Sequence, residues 1–189
     1  MNKLNFKTML IYFEKKEKEQ DKLIQLSRIL IKKSSNVIKL IHLGKFAQAK
    51  KELNFLSKQI KKLSNFSKEW KYLILPIEQE YVEAVLLFCS LNTKKFPSYK
   101  KLNVSVEAYV LGILDLFGEL KREIIISLSK NNLSLANELF SLMSNLFDEL
   151  LLFRFSNSIL PNFKKKFDVA RIQLETARIE LLHHMQVKK

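Results

Sequence analysis

The feature that most limits what this chain can fold into lies near its end. Phe163, Phe167, Ala170, Leu174, Ala177 and Leu181 follow one another at alternating steps of four and three. On a helix that spacing makes an a/d seam, an apolar stripe that other helices must cover along its whole length. It predicts a helix starting near Pro161 and committed to a bundle core or a subunit interface. The same kind of signal recurs upstream. Leu23, Leu26, Leu30, Val37 and Ile41 define a first amphipathic helix over about Glu17 to His42, which Leu43-Gly44-Lys45 breaks. The pattern resumes from Phe46 through Leu53, Leu56, Ile60 and Leu63, so these two helices are expected to form an antiparallel pair. A third helix is expected from about Ser67 to Leu91, with Pro76 inside it or close to a break, ending in the basic loop 92–101. Ser105 can cap a fourth helix, with Glu107 in its first turn, running to about Leu128. A fifth is expected over about Ser134 to Phe155. Only three Gly and three Pro punctuate 189 residues, too few turn formers for a sandwich or barrel. The expectation is an all-α protein: an antiparallel bundle of about six to seven helices, forming a single domain over 1–189.

Charge narrows the partners. Lys plus Arg number 33 against 19 Asp plus Glu, a formal net charge of +14, which favours an anionic partner such as nucleic acid or an acidic membrane surface. Part of the excess can instead reflect a genome biased toward Lys, Ile, Asn and Phe. No segment approaches the roughly 20 apolar residues of a membrane span, and the N-terminal apolar patch is too short for a secretory signal. The single cysteine, Cys89, excludes an internal disulfide and reads as a small core hydrophobe. A cytoplasmic protein with no membrane partner is expected.

Acid groups stand where apolar residues dominate. Glu80 and Glu83, three apart in "QEYVEA", share a helix face, and so do Asp115 and Glu119, four apart on the next long helix. Carboxylates near a core cost several kcal/mol unless paired or bound to a cation. Basic residues are scarce in both segments, although Lys121, Arg122 and distant residues can supply some. If the two helices pack as neighbours, about 8 to 10 Å apart, the four acids can converge as hard oxygen ligands for Mg²⁺ or Mn²⁺. On spacing alone, the alternative remains open that they edge a solvated face.

The runs "QEYVEA" at Gln79 to Ala84 and "VEAYVLGILDLFGEL" at Val106 to Leu120 resemble the translin superfamily, specifically its catalytic branch represented by translin-associated factor X. "KLIQLSRILIKKSSNVIKLIH" at Lys22 to His42 is similar to that family's first long helix, and "KFDVARIQLE" at Lys166 to Glu175 to its last. The resemblance covers nearly the whole chain, in order. It implies a translin-like helical bundle that assembles into a homo-octamer or other closed homo-oligomer, alone or with a translin-like paralogue, around a basic cavity that binds single-stranded RNA or single-stranded DNA. It also implies a Mg²⁺-dependent endoribonuclease in which Glu80, Glu83, Asp115 and Glu119 are catalytic and metal-binding. The alternative is a non-catalytic single-strand binder of the translin type, and a third reading is a helical scaffold with a basic surface. Two departures stand out: Ala108 precedes Tyr109 where relatives often carry an acid, and Asn65 to Lys71 lacks the His-rich basic stretch that translin carries.

Arg28, which the resemblance aligns with a retained basic position, and Lys68 and Lys71 near Trp70 are the expected nucleic-acid contacts. A surface ion pair is the other reading of Arg28, and burial against the bundle the other reading of Trp70. The Lys runs, Lys164-Lys165-Lys166 among them, are ordinary solvated positions singly, but together they can line a path for a phosphate backbone. Glu180 and His183 form an ExxH pair, but a di-iron bundle needs a second one, and His42 has Lys39 where the Glu would stand. Gly44, Gly112 and Gly118 are isolated and build no phosphate loop.

Overall fold

The computed structural model describes residues 5–66 and 68–187. These form seven α-helices and no strand: α1 (Phe6–His42), α2 (Phe46–Ile60), α3 (Lys71–Phe88), α4 (Tyr99–Leu102), α5 (Val106–Ser129), α6 (Leu133–Leu150) and α7 (Phe163–Val187). Short 3₁₀ turns at Lys61–Asn65 and Lys68–Trp70 join α2 to α3, and one π-turn, Cys89–Thr93, follows α3. The expected start of the third helix at Ser67 lies outside the described residues; within them the helix begins at Lys71.

Local chemistry explains the boundaries. Asn5, Ser98, Ser105 and Asn132 each accept a backbone N–H of the first turn they precede, satisfying a donor the helix leaves free. Gly44, at φ +70°, turns the chain between α1 and α2, a conformation in which a Cβ is strained. Asn103 and Asn131, which tolerate that same left-handed region, end α4 and α5. The first helix begins at Phe6 rather than near Glu17, because the Asn5 cap and the absence of Gly or Pro let the turns continue past the point where the apolar stripe fades. The fifth expected helix stops at Leu150 rather than Phe155. There Phe153 N–H turns back to the Leu150 carbonyl and its ring stacks on Phe163 at 6.0 Å, so contact with the start of α7 replaces further helix. Pro76 sits inside α3, where its missing N–H removes the helical hydrogen bond to the carbonyl of Tyr72, an exposed residue.

α3 and α5 pack along each other at the centre, with α1 on α3 and with α6 and α7 on α5, while α2 lies on α1. The a/d seam of α7 meets that core: Phe163, Ala170, Leu174, Ala177 and Leu181 are all buried. An aromatic column joins the layers, Phe117 on Phe147, Phe147 stacked on Phe167 at 4.8 Å, and Phe167 stacked on Phe163. Gly112 lets the two central helices approach closely. A Cβ built there would stand 2.7 Å from Val82 Cγ1 and 2.9 Å from the Gln79 carbonyl oxygen. That close contact lies within one turn of Asp115 on α5 and between Gln79 and Glu83 on α3, so the packing there bears on the separation of the acids. Among the described residues no helix is long and apolar enough to cross a membrane.

Candidate carboxylate centre

α3 presents Glu80 and Glu83 toward α5, and α5 presents Asp115 and Glu119 toward α3. Glu80, Glu83 and Glu119 line one cleft of about 610 Å³, closed on its far side by the end of α1 with Ser35, Lys39 and His42 and rimmed by Arg122. Asp115 points to the neighbouring groove of about 410 Å³, between α5 and the start of α7, which Asn162, Lys165, Lys166 and Gln173 also line. The four acids are therefore neighbours, with three in one cleft and the fourth on the ridge beside it.

Their surroundings differ, and the charges follow. Glu83 has its pKa pushed up to about 8, first by burial and then by the negative charges of Asp115, Glu80 and Glu119, with Lys166 opposing. Burial, followed by repulsion from Asp115, also raises Glu80. Neither makes an ion pair or side-chain hydrogen bond among the described residues. Asp115 is held: Lys166 Nζ donates to its Oδ1 at 2.5 Å, and Gln79 donates to its Oδ2. Glu119 is held too. His42 places Nε2 2.5 Å from Glu119 Oε2, and its Nδ1 bonds Glu123. Two carboxylate acceptors satisfy both ring nitrogens only if both carry protons, so His42 is an imidazolium. Burial opposes that charge, but the hydrogen bonds to Glu119 and Glu123 prevail and lift His42 to about 9. The same contact with His42 holds Glu119 below the usual carboxylate range.

The donor set fits a divalent cation in its chemistry: hard carboxylate oxygens, with Glu80 and Glu83 repelled by their neighbours and lacking a partner that would neutralise them. As placed, no group of three His, Cys, Asp or Glu among the described residues is arranged to hold a metal ion. Lys166 and His42 occupy oxygens of two of the four acids, Asp115 and Glu119.

The other expected residues lie apart from this centre. Arg28 is exposed on α1 and makes no ion pair among the described residues. Lys68 and Lys71 are exposed at the rim of a separate groove with Ser64, Phe66 and Ser105, and Lys71 pairs with Glu107 at 2.8 Å. Trp70 is buried, its ring 6.3 Å from that of Tyr72, so it supports the bundle and offers no face to a base. His183 and His184 flank Glu180 in a shallow pocket at the end of α7, without a second ExxH. Sequence reasoning passed over His42, Lys166, Gln79 and Glu123 as members of the centre. A signal existed for two of them, since Gln79 adjoins Glu80 and Glu123 follows Glu119 by four, whereas His42 and Lys166 arrive from α1 and α7. It also passed over Glu78, buried, which accepts from both the N–H (2.9 Å) and the hydroxyl (2.6 Å) of Ser105 and so ties α3 to the start of α5.

An all-α bundle whose two central helices face each other across acid side chains is the class that fold and site define. The chain belongs to the translin family, whose model, described as "Translin family", matches residues 14–182. An uncharacterised protein of Methanocaldococcus jannaschii is 30% identical over 191 residues, covering 98% of this chain and 84% of that protein. Among solved structures, AfC3PO superposes with a TM-score of 0.88 at 24% identity, covering 97% of this chain and 98% of the other, both alone and as a complex with duplex RNA. Apo-NeC3PO superposes with a TM-score of 0.84 at 23% identity over 95% and 97%. At these identities the structural likeness establishes the fold.

Proposed function

We propose that this protein is a metal-dependent endoribonuclease that acts on single-stranded RNA inside a closed homo-oligomer. The observation that carries the reading is the meeting of Glu80 and Glu83 with Asp115 and Glu119 across the close contact of α3 and α5, at a protonation cost that a divalent cation would remove. Glu80, Glu83, Asp115 and Glu119 would hold Mg²⁺ or Mn²⁺, which when bound supplies Lewis-acid stabilisation of phosphate charge and an acidified water. His42 fixes Glu119 from behind and Gln79 holds Asp115, so these two acids keep their orientation. Exposed cations, Arg28, Lys68 and Lys71 among them, hold the phosphate backbone through contacts that weaken as salt rises.

RNA as the ligand is supported by family membership and by the AfC3PO complex with duplex RNA. Assembly is supported by the apolar residues left uncovered on the outer face of α7, Val169, Ile172, Ile179 and Leu182, and on the first turns of α1, where Phe6, Leu10 and Phe13 are exposed. A non-catalytic single-strand binder of the translin type is the second reading. It is favoured by the engagement of Asp115 with Lys166 and of Glu119 with His42.

Labelled single-stranded RNA, with a duplex for comparison, is incubated with wild type and Glu80→Gln in Mg²⁺ or in EDTA. The nuclease reading expects cleavage by wild type in Mg²⁺ alone. Cleavage that ignores EDTA, or wild type that cuts no better than the variant, removes the nuclease and leaves the binder. Single-stranded DNA in the same assay reports whether the sugar matters.

A further inference from the structure

Among the described residues, Lys166 is the one cation that α7 brings into ion-pair contact with the carboxylate centre. It reaches from the first turn of α7 to Asp115 with Nζ 2.5 Å from Oδ1, and it is only partly exposed. Its charge acts beyond that pair, because the same ammonium opposes the upward shifts of both Glu80 and Glu83. It is the cation that faces the uncompensated side of the cluster; Arg122 and His42 neutralise Glu119 from the other side. The position is also fixed. Phe167, the next residue, is stacked between Phe147 and Phe163, which sets the rotation of α7 and aims Lys166 at α5.

We infer that Lys166 is a built-in counter-ion that holds Asp115 while the carboxylate centre lacks a divalent cation, and that it releases Asp115 when the cation binds. The inference rests on the metal-dependent reading. An oxygen that accepts from an ammonium at this distance cannot also offer the same lone pairs to a metal, and a positive charge beside the cluster disfavours a second one. Lys166 is thus a positioning residue that competes with the metal: it lowers the repulsion among the acids in the metal-free fold and weakens the affinity for the cation that replaces it. On release the side chain stays within the groove lined by Asn162, Lys165 and Gln173, beside the centre.

The test is Mn²⁺ binding by the full-length protein, read from the loss of the free-ion paramagnetic resonance signal. Wild type, Lys166→Met, Lys166→Gln and Lys166→Arg are compared, with Glu80→Gln marking the site. Removing the charge in Lys166→Met and Lys166→Gln is expected to tighten Mn²⁺ at least ~5-fold, and Lys166→Arg, which keeps the cation, to bind like wild type. Melting in EDTA and in Mg²⁺ supplies a second readout: the two neutral variants melt below wild type in EDTA and gain more from Mg²⁺. Neutral variants that bind Mn²⁺ as wild type does, or more weakly, overturn the role of Lys166 and leave the metal site standing. Wild type that binds no Mn²⁺, or Glu80→Gln that binds it unchanged, overturns the metal site and this inference with it.

Discussion

Glu83 and His42 bear opposite charges when ionised, yet both make the fold weaker as pH rises. The folded protein holds the Glu83 proton up to about 8, against an ordinary value of 4.5, so its contribution is complete below pH 4.5 and is lost as pH climbs through about 8. His42 contributes fully below its ordinary 6.5 and loses its contribution as pH passes about 9. Melting temperature in EDTA is therefore expected to fall between about pH 4.5 and 9, the Glu83 part between about 4.5 and 8 and the His42 part between about 6.5 and 9. Glu83→Gln should flatten the part of the fall between about pH 4.5 and 8, and Mg²⁺ should suppress it in wild type; a pH-independent melting temperature would contradict both assignments. His42→Ala removes the partner of the buried Glu123 and should destabilise by about 3 to 5 kcal/mol, measured by denaturant unfolding at pH 6. The letters "QEYVEA" and "DLFGEL" made the four acids legible as candidates at this scale. The cations that hold them were not legible, because His42 and Lys166 lie 77 and 51 residues from their partners Glu119 and Asp115.

Among the helices, α3 and α5 determine the centre, and Gly112 determines how close they come. Gly112→Ala places a methyl group against Val82 and the Gln79 carbonyl, and the backbone oxygen cannot rotate away as a side chain can. The expected result is a loss of about 1 to 3 kcal/mol in unfolding free energy. The proposed Mg²⁺-dependent cleavage should fall further than stability does, since Gln79 and Asp115 shift together; a variant as stable and active as wild type would show that the approach is not needed. At the other end of the contact, Ser105→Ala removes both the helix cap and one of the two donors to Glu78. It is expected to cost about 1 to 2 kcal/mol by the same unfolding measurement. The Ser105 cap and the start of α5 at Val106 were readable from composition, because a hydroxyl followed by an acid in the first turn is a local signal. The end of α6 was not, because Phe153 leaves the helix to meet Phe163, a contact across a loop. Gly112 looked isolated for a related reason: its neighbour is on another helix.

For the whole molecule, the net charge of +14 makes salt the control on RNA affinity. Between about 50 and 200 mM salt, binding of a single-stranded RNA should weaken by orders of magnitude, with a linear dependence on log salt. Charge-removing changes at Arg28, Lys68 or Lys71 should each lower that slope by about one contact, as fluorescence titration at several salt concentrations would show. The chain by itself determined a good deal: the a/d steps of α7, the broken stripe of α1 and α2 and the shortage of Gly and Pro required a helical bundle, and two acid pairs marked the faces on which chemistry could stand. Those are properties of neighbours three and four residues apart, which a helix reports directly. Only the tertiary structure decided that Glu80, Glu83 and Glu119 share a cleft while Asp115 turns to the groove beside it. It also decided which cations meet these acids and that Trp70 is covered. Each of those outcomes depends on the rotation and approach of helices distant in sequence, set by Gly112 and by the aromatic stack of α6 and α7, and no local spacing records it.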